Sequence, residues 1–392
     1  MALNGIKVVE FGGQAPVPFA GLVLQDYGAT VIRVDKPSSS SSDILSRGKR
    51  SVAINPKVPS GLEVLKKLIA SSDILIDPFR PGVMERLGLG PEVFLGKTGK
   101  PGLNQKLIYA RIAGFPRIGP YKDMAGHDIN YIALSGALAM LPGPNERPGF
   151  PLNLLADFAG GGLICALGIL LALFERQSTG SGQVVDIDMV SGARYVSSFP
   201  LMHRLYQSTS LFSGKPGTNL LDGGAPFYNV YTCKDGGFMS LGCLEPQFFK
   251  TFIEHFVEAL PNDSKQRFGW TPDPSVQFDR DQWPKLKQYL EFGFKTRTRN
   301  EWEATFMGTD ACAIPVLTPE EAKHLEPSGQ LYPSPHPKIA SQSQQSPSPQ
   351  SNELLLLTGK HNEEILRELG LTNDECLKLI RDGAMEGVKS KL

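Results

Sequence analysis

Short apolar runs alternate with stretches of helical apolar spacing through the first part of the chain. The strand-like runs span residues 6–11, 30–35, 73–79 and 106–115, and helical stretches at 18–29 and 62–72 lie between them. A further strand, QVVDIDM, follows at 183–189. Such alternation is typical of βαβ units around a mostly parallel sheet. We therefore predict an α/β fold with a large Rossmann-like parallel-sheet domain over residues 1–200.

The pattern changes in the second half of the chain. After a linker at 201–224, residues 225–320 combine a hairpin turning at Asp235-Gly236-Gly237 with amphipathic helices, which predicts a small α+β domain. Residues 321–355 form a connector whose Pro, Ser and Gln content at 327–352 cannot pack a core. Residues 356–392 contain an amphipathic helix at 359–371, with Ile365, Leu366 and Leu369 on one stripe. We expect this helix to return to the large domain.

The longest apolar run is LICALGILLALF, at residues 163–174. As a helix it covers about 18 Å, well short of the roughly 30 Å hydrocarbon core of a bilayer. It belongs to a long helical segment from 153 to about 177. We predict that this helix is buried in the protein and that the chain has no membrane span.

Composition and motif inventory exclude several classes of function. Lys plus Arg and Asp plus Glu number 40 each, so no net field attracts nucleic acid or an anionic membrane. The five cysteines are odd in number and form no CxxC pair, which argues against disulfides or structural zinc and indicates a reducing compartment. The six histidines lack metal-binding spacing, no GxSxG elbow is present, and the first loop lacks the GxGxxG of dinucleotide binding. We expect no metal and no nucleic-acid partner.

Basic residues gather in the loops and strands of the first half. They are Arg33, Lys36, Arg47, Lys49, Arg50, Lys57, Arg80 and Arg86. Open α/β sheets bind ligands beyond the carboxyl ends of their strands, and several cations there suit a polyanion such as the phosphates of coenzyme A. Spacing alone leaves open a solvated surface with scattered charge.

Two residues could carry acid–base chemistry. Asp157 stands among apolar residues, where desolvation raises a carboxyl pKa and lets the neutral acid donate a proton; Asn153, four residues earlier, shares its helix face. Helix capping is the alternative for Asp157. A histidine side chain ordinarily titrates near pH 6.5, so His127 could transfer protons, although a lone histidine is more often a satisfied core residue. Asp128 is expected to cap the helix INYIALSG, and Glu245, before Pro246, is the candidate to orient the imidazole.

The motifs together resemble the α-methylacyl-CoA racemases of the family III CoA-transferase superfamily. They are, in order, VVEFGGQAPVPFAG, VIRVDKP, RGKRSVAI, FRPGVMERLGLGPE, AGHDINYIALSG, PLNLLADFAGGGLICALGI, GGAPFYNVYTCKDGGFM and GTDACAIPVLT. The resemblance spans most of the chain except the 327–352 connector. It implies an interlocked homodimer, with each active site between the large domain of one subunit and the small domain of its partner.

The resemblance also implies roles for individual residues. His127 and Asp157 would be the acid/base pair, with Glu245 contacting the imidazole, Asn153 supporting the aspartate and Tyr228 lining the site. The expected coenzyme A contacts are Lys36, Arg47, Ile54, Asn55, Pro56, Lys57, Pro78, Phe79, Arg80, Arg86, Gly126, Asp128, Ile129, Asn130 and Tyr131. The family usually has Arg in place of Lys36, so the bidentate fork is lost at that contact. No cofactor is expected beyond the coenzyme A moiety of the substrate.

The implied reaction interconverts the (2R) and (2S) forms of a 2-methylacyl-CoA through an enolate. A CoA-transferase with Asp157 as nucleophile is the alternative, although residues 225–260 lack a GGGGQ-like run. A catalytically silent CoA-ester binding protein is a third reading. The terminal Ser390-Lys391-Leu392 matches the address read by the peroxisomal import receptor, which fits branched-chain β-oxidation. The alternative for this tripeptide is a frayed polar tail. An additional mitochondrial or cytosolic pool of the protein is also compatible with the sequence.

Overall fold

A parallel sheet organises the N-terminal part of the chain. The strands before residue 190 are β1 (Lys7–Phe11), β2 (Thr30–Asp35), β3 (Arg50–Ala53), β4 (Ile74–Asp77), β5 (Gly96–Lys97), β6 (Lys100–Pro101), β7 (Ile108–Ala113) and β8 (Gln183–Asp188). Six of them pair in the order β3-β2-β1-β4-β7-β8, all parallel, while β5 and β6 form a separate two-stranded ladder. This order is that of a doubly wound dinucleotide-type sheet, with its switch point between β1 and β4. The predicted Rossmann-like sheet is confirmed.

The structure is a computed structural model that describes residues 1–206, 211–326, 333–340 and 355–386. It divides into two units. The first comprises Met1–Leu138, Phe150–Ser198 and Pro335–Leu392, and the second comprises Ala139–Gly149 and Phe199–Ser334. Most of the predicted 327–352 connector and the terminal Ser390-Lys391-Leu392 lie outside the described residues.

Helices cover both faces of the six-stranded sheet. They are α1 (Pro16–Asp26), α2 (Pro59–Ala70), α3 (Val83–Arg86), α4 (Pro91–Leu95), α5 (Asp128–Ser135), α6 (Ile164–Thr179) and α7 (Met189–Val196). The central strands are buried on both faces, as the fully buried Val8, Val9 and Ile74 illustrate, which is why they read as continuous apolar runs. Two apolar clusters result, one on each side of the sheet.

The helix that leads into β8 begins with an unusual turn. Residues Leu154–Leu163 form a π-helical segment, here called the π segment, which continues directly into α6. The predicted helix is therefore present, but its description as buried is wrong for one face. Cys165 and Ile169 pack against the sheet, whereas an apolar stripe is exposed. The stripe consists of Leu163, Leu167, Leu170, Leu171 and Phe174.

The π segment and α6 together are longer than the sequence pattern suggested. The combined helix, Leu154–Thr179, is long and apolar enough to cross a membrane by length and composition alone. One face of it, however, belongs to the apolar cluster that covers the parallel sheet. A helix that packs on one side in a protein core is a core helix, even when its other face is exposed. The length and apolar composition of this helix are therefore only weak evidence that it crosses a membrane.

The C-terminal helices α14 (Asn362–Glu368) and α15 (Asn373–Arg381) return to the sheet, as predicted. The Ser51 N–H donates to His361 Nδ1 at 3.1 Å, and the Ala53 N–H donates to Asn362 Oδ1 at 2.8 Å, so this segment satisfies the free edge of β3. Ile365 and Leu366 are buried in the same cluster as the strand.

The second unit is a three-stranded antiparallel sheet packed with helices. Strands β9 (Tyr228–Thr232), β10 (Phe238–Gly242) and β11 (Ala313–Pro315) pair in the order β11-β10-β9, and β9 and β10 form the predicted hairpin. The helices are α8 (Ser198–Tyr206), α9 (Pro246–Ala259), α10 (Asn262–Phe268), α11 (Trp283–Phe294), α12 (Arg299–Phe306) and α13 (Pro319–Ala322). Stacked aromatic rings such as Phe256 and Trp302, 4.9 Å apart, fill its core.

Two glycines let α7 approach the π segment. A Cβ added at Gly160 would overlap the backbone at Ala193, and one added at Gly192 would overlap the carbonyl of Gly160. Both obstacles are backbone atoms, which cannot rotate away as a side chain can. The contact therefore fixes the π segment against α7 at backbone distance.

We expect Gly192→Ala to lower the free energy of unfolding by about 3 kcal/mol, because the added methyl group forces two backbones apart. Gly168→Ala, on α6, is the matched control: its Cβ would meet only a Val185 methyl group at 2.7 Å. That side chain can shift, and alanine favours the helix, so the control should lose about 1 kcal/mol or less. Urea unfolding measures both values; equal losses would contradict the close backbone contact.

Candidate active site

The carboxyl edge of the parallel sheet collects the residues predicted to bind coenzyme A. Lys36 follows β2, Ile54 to Lys57 follow β3, Pro78 to Arg80 follow β4, and Gly126 lies in the loop after β7. The helix into β8 runs back from this edge, so its first turn, with Asn153 and Asp157, starts there too. The topology thus brings these predicted residues of the first unit to one edge, where open α/β sheets bind ligands.

His127 stands at the start of α5. It is the N-cap residue, and its backbone N–H donates to Asn130 Oδ1 at 3.1 Å. The Tyr131 hydroxyl donates to the Gly126 carbonyl, and its ring packs edge-on against Phe115 at 5.0 Å. These contacts fix the backbone on both sides of His127, while the residue itself is exposed.

Asp128 does not have the capping role that the sequence predicted. It is the first helical residue, not the cap, and its side chain turns away from α5 into the protein, where it is 3% exposed. Its Oδ2 accepts hydrogen bonds from the backbone N–H groups of Ala156, at 2.7 Å, and Asp157, at 2.8 Å. The capping prediction is wrong because the buried backbone donors of the π segment compete for this carboxylate.

Asp157 is half-buried in the first turn of the π segment. Burial raises the pKa of its carboxyl group, as its apolar neighbours predicted, and the Asp128 charge adds to the rise. A hydrogen bond from Asn153 Nδ2 to Asp157 Oδ2, at 3.1 Å, and the charge of His127 both lower the pKa again. The Asp157 N–H donates to Asp128, which directly follows His127, so the backbone segments that carry His127 and Asp157 lie next to each other.

Half of the predicted cationic cluster is committed to internal ion pairs. Lys49 is buried, with its Nζ 2.7 Å from Glu10 Oε1, and burial raises the pKa of that carboxyl group while Lys49 lowers it. Arg33 is buried and donates to Asp35 at 3.0 Å. The other two pairs are Arg47 with Asp26 and Arg50 with Glu364 and Glu368. The surface-charge alternative is wrong for Arg33 and Lys49, which are buried, whereas Arg47 and Arg50 are only partly buried.

Four cations remain exposed at the carboxyl edge. Lys36, Lys57 and Arg86 form no ion pair among the described residues, and Arg80 donates only to the Asp123 carbonyl, at 3.2 Å. Their positive charge is therefore available to an anionic ligand. The coenzyme A contact predicted for Arg47 stays a prediction. A phosphate bound there would compete with Asp26 for the guanidinium group.

Asp77 is a functional candidate that the sequence reading missed. It ends β4, is buried, and its Oδ1 accepts the Phe79 N–H at 2.8 Å. Burial raises its pKa to about 6. The carboxylate thereby fixes the loop at residues 78–80. The segment DILIDPF indicates such a role, because it places an acidic residue at the end of a buried strand. Among the described residues no cluster of three His, Cys, Asp or Glu side chains could hold a metal ion.

Glu245 and Tyr228 belong to the second unit. Tyr228 pairs with Gly242 in the β9–β10 ladder, and Glu245 is the N-cap residue of α9 just beyond β10. Both lie at the open end of the hairpin and both are exposed. Their predicted roles beside His127 stay predictions.

Comparison with known proteins places the chain in a family. Residues 3–353 match CoA-transferase family III. The chain is 44% identical to human α-methylacyl-CoA racemase, over all of this chain and 99% of the relative. It is 32% identical to succinyl-CoA–D-citramalate CoA-transferase of Chloroflexus aurantiacus, over 61% of each chain. The crystal structure of a CAIB/BAIF family protein from Brucella suis shares its fold, with a TM-score of 0.67, 22% identity, and coverage of 93% of this chain and 98% of that chain.

The doubly wound sheet, with His127 and Asp157 at its carboxyl edge, thus belongs to a chain of the acyl-CoA-processing class. The chain belongs to CoA-transferase family III.

Proposed function

We propose that this protein is a racemase that interconverts the (2R) and (2S) forms of 2-methylacyl-CoA thioesters. The observation that carries the proposal is that Asp157, whose carboxyl pKa is raised by burial, donates its N–H to the side chain of Asp128, the residue directly after His127. The full-length similarity to human α-methylacyl-CoA racemase supports it. An imidazole and a carboxyl group can each take or return a proton, which is what an exchange of the α-proton between two faces requires.

Racemisation requires removal of the proton α to the thioester from one face and its return to the other. With His127 neutral and Asp157 protonated, His127 would deprotonate one isomer and Asp157 would protonate the enolate. Imidazolium and carboxylate would carry out the reverse reaction. The pair holds one proton in both cases, so each turnover leaves the enzyme ready for the opposite isomer.

The enolate oxygen needs hydrogen-bond donors, and the start of α5 supplies candidates. The His127 N–H is already engaged with Asn130 Oδ1. The N–H groups of Asp128 and Ile129 have no acceptor among the described residues and belong to the first turn of the helix. We therefore assign the oxyanion to these two N–H groups. Such donors are worth on the order of 10²–10³ in rate in other enzymes.

The coenzyme A moiety would lie along the carboxyl edge. The exposed charges of Lys36, Lys57, Arg80 and Arg86 suit its phosphates, and the loop shaped by Asp77 would line its path. No further cofactor takes part in this scheme.

A CoA-transferase is the second candidate, because family members at 32% identity carry that activity in their names. In that reaction Asp157 would attack the thioester as a carboxylate nucleophile. That transferase relative matches 61% of this chain, whereas human α-methylacyl-CoA racemase matches all of it at 44% identity. The racemase is therefore favoured.

Incubating one pure 2-methylacyl-CoA isomer with the wild-type protein in D₂O should give racemisation together with α-deuteration. His127→Ala should reduce exchange from the isomer that His127 deprotonates by roughly 10²–10⁴-fold, because its base is missing. Exchange from the other isomer should persist through Asp157. Mass spectrometry with chiral analysis measures both.

His255→Ala is the matched control, since this histidine hydrogen-bonds within α9 to the Thr251 carbonyl. It should leave exchange unchanged. Full exchange from both isomers by His127→Ala would contradict the two-base assignment. Acyl exchange that appears only when an acceptor acid is added would identify the transferase.

The resemblance further leads us to propose an interlocked homodimer. The apolar stripe of α6 supports it, because Leu171 and Phe174 are 61% and 75% exposed in the single chain. Exposed apolar surface of this kind is typical of an interface.

Light scattering should give the mass of a dimer for the wild-type protein. The double substitution Leu171→Glu and Phe174→Glu should yield monomers and at least 10-fold lower activity, since charges at the centre of an apolar interface remain unpaired. Leu103→Glu, at an apolar residue 56% exposed elsewhere, is the control and should stay dimeric. A dimeric double variant would exclude the stripe as the interface.

We also propose a peroxisomal location in which the protein serves branched-chain β-oxidation. The receptor-read tripeptide Ser390-Lys391-Leu392 supports it, provided that Leu392 ends the mature chain. A fluorescent fusion with the tag at the N-terminus should enter peroxisomes, and deletion of the tripeptide should leave it in the cytosol. Unchanged import after deletion would contradict the proposal.

A further inference from the structure

The carboxylate of Asp128 joins the two segments that carry the proposed acid–base pair. It follows His127 directly in sequence, yet its Oδ2 accepts the N–H groups of Ala156 and Asp157, at 2.7 and 2.8 Å. Asp128 is 3% exposed, and its second oxygen, Oδ1, is buried with no hydrogen-bond partner in the described part of the chain. Burial of a carboxylate oxygen without a hydrogen bond lowers the stability of the fold, which is consistent with a functional role for this residue.

We propose that Asp128 is a positioning residue that holds Asp157 opposite His127 and sets the pH range in which the pair shares one proton. The proposal rests on the racemase function proposed above. Asp128 does not contact the reacting atoms in this scheme; it acts through the backbone and the charge state of Asp157.

The geometric part follows from where the two hydrogen bonds fall. The first four N–H groups of a helix have no partner within the helix, and here Asp128 takes up two of them at the turn that carries the acid. The same residue is fixed at the N-terminus of α5 beside His127, whose N–H is held by Asn130. A shift of α5 would therefore move both proposed bases together. Keeping reacting groups within a fraction of an ångström is worth large factors in rate.

The electrostatic part follows from the charge of the carboxylate. A negative charge beside Asp157 disfavours a second negative charge, so it raises the pKa of Asp157 and opposes the hydrogen bond from Asn153. This effect keeps the shared proton on the pair at higher pH.

The other charged groups near the π segment are accounted for. Arg194 on α7 donates to the Ser135 carbonyl at 2.9 Å. Besides Asp128, the ionisable groups on the elements packed against the segment are His127 and Tyr131 near or on α5, Arg194 and Tyr195 on α7, Asp26 on α1, Asp186 and Asp188 on β8, and Cys165, Glu175 and Arg176 on α6. Asp26 and Asp186 are paired with arginines, and Asp188 caps α7. Asp128 is therefore the carboxylate that acts on Asp157 directly.

Asp128→Asn separates charge from shape. The amide oxygen can still accept both N–H groups, but the negative charge is gone. The bell-shaped pH profile of kcat/KM for racemisation should move to lower pH by roughly half a unit or more, because both limbs report the proton-sharing pair. Asn153→Ala removes a hydrogen bond to the carboxylate form, so it should move the profile in the opposite direction, to higher pH.

Asp73→Asn is the matched control. Asp73 also accepts a backbone N–H, from Lys7 at 2.9 Å, but it precedes β4 at the amino edge of the sheet. It should leave the pH profile unchanged. A merely structural role for Asp128 would lower stability without moving the profile.

Asp128→Ala tests the geometric part, because it leaves both N–H groups unpaired. We expect kcat to fall at least 10-fold with a smaller change in KM. If this variant fails to fold, the pH profile of Asp128→Asn is the measurement that tests the proposal. An unmoved pH profile in Asp128→Asn overturns the proposal, as does full kcat in a folded Asp128→Ala.

The experiments distinguish a failure of the proposed racemase function from a failure of the proposed role of Asp128. If the wild-type protein exchanges no α-proton with D₂O, the proposed function is wrong. If the wild-type protein racemises its substrate but Asp128→Asn keeps the wild-type profile, only the role of Asp128 is wrong.

Discussion

The hydrogen bonds from Ala156 and Asp157 to the Asp128 carboxylate are the constraint on which the site depends. They cross between α5 and the π segment, where Tyr131, Ile132 and Ala156 also pack in one apolar cluster. Apolar packing fixes distance and volume, whereas a charge-assisted hydrogen bond also fixes orientation. The glycine contact between the π segment and α7 holds the other side of the same turn. Asp157 is thus constrained from both sides by backbone interactions.

The basic side chains of the first unit fall into two groups, those buried in ion pairs and those exposed at the carboxyl edge of the sheet. Lys49 and Arg33 are held inside by carboxylates, and removing one partner of such a buried pair leaves an uncompensated charge that costs several kcal/mol. Lys36 and Lys57 stay exposed beyond the strand ends. One set of cations thereby supports the fold around β1 and β2, and the other remains free to meet an anion.

Local patterns predicted the fold well, because strand and helix periodicities are short-range signals. The strand at 30–35 and the hairpin at Asp235-Gly236-Gly237 both follow from a few adjacent residues. The contacts that define the site are not local. Asp128 reaches donors twenty-eight and twenty-nine residues away, and Lys49 meets Glu10 across thirty-nine. Spacing in the sequence cannot reveal such partners, and for Asp128 it favoured the wrong one, the adjacent helix. The apolar stripe of α6 was misread for a related reason, since composition does not say which face of a helix meets the core.

The closure of the β3 edge by α14 has a consequence for biogenesis. The strand is finished when residue 53 has been made, but its partners, His361 and Asn362, leave the ribosome some three hundred residues later. Until then the nascent sheet has an open edge, which is a template for pairing with other chains. The short length of β3, four residues, limits that hazard. The chain therefore completes its first folding unit only after residues 361 and 362 have been made, and a chain truncated before them would have an unfinished sheet.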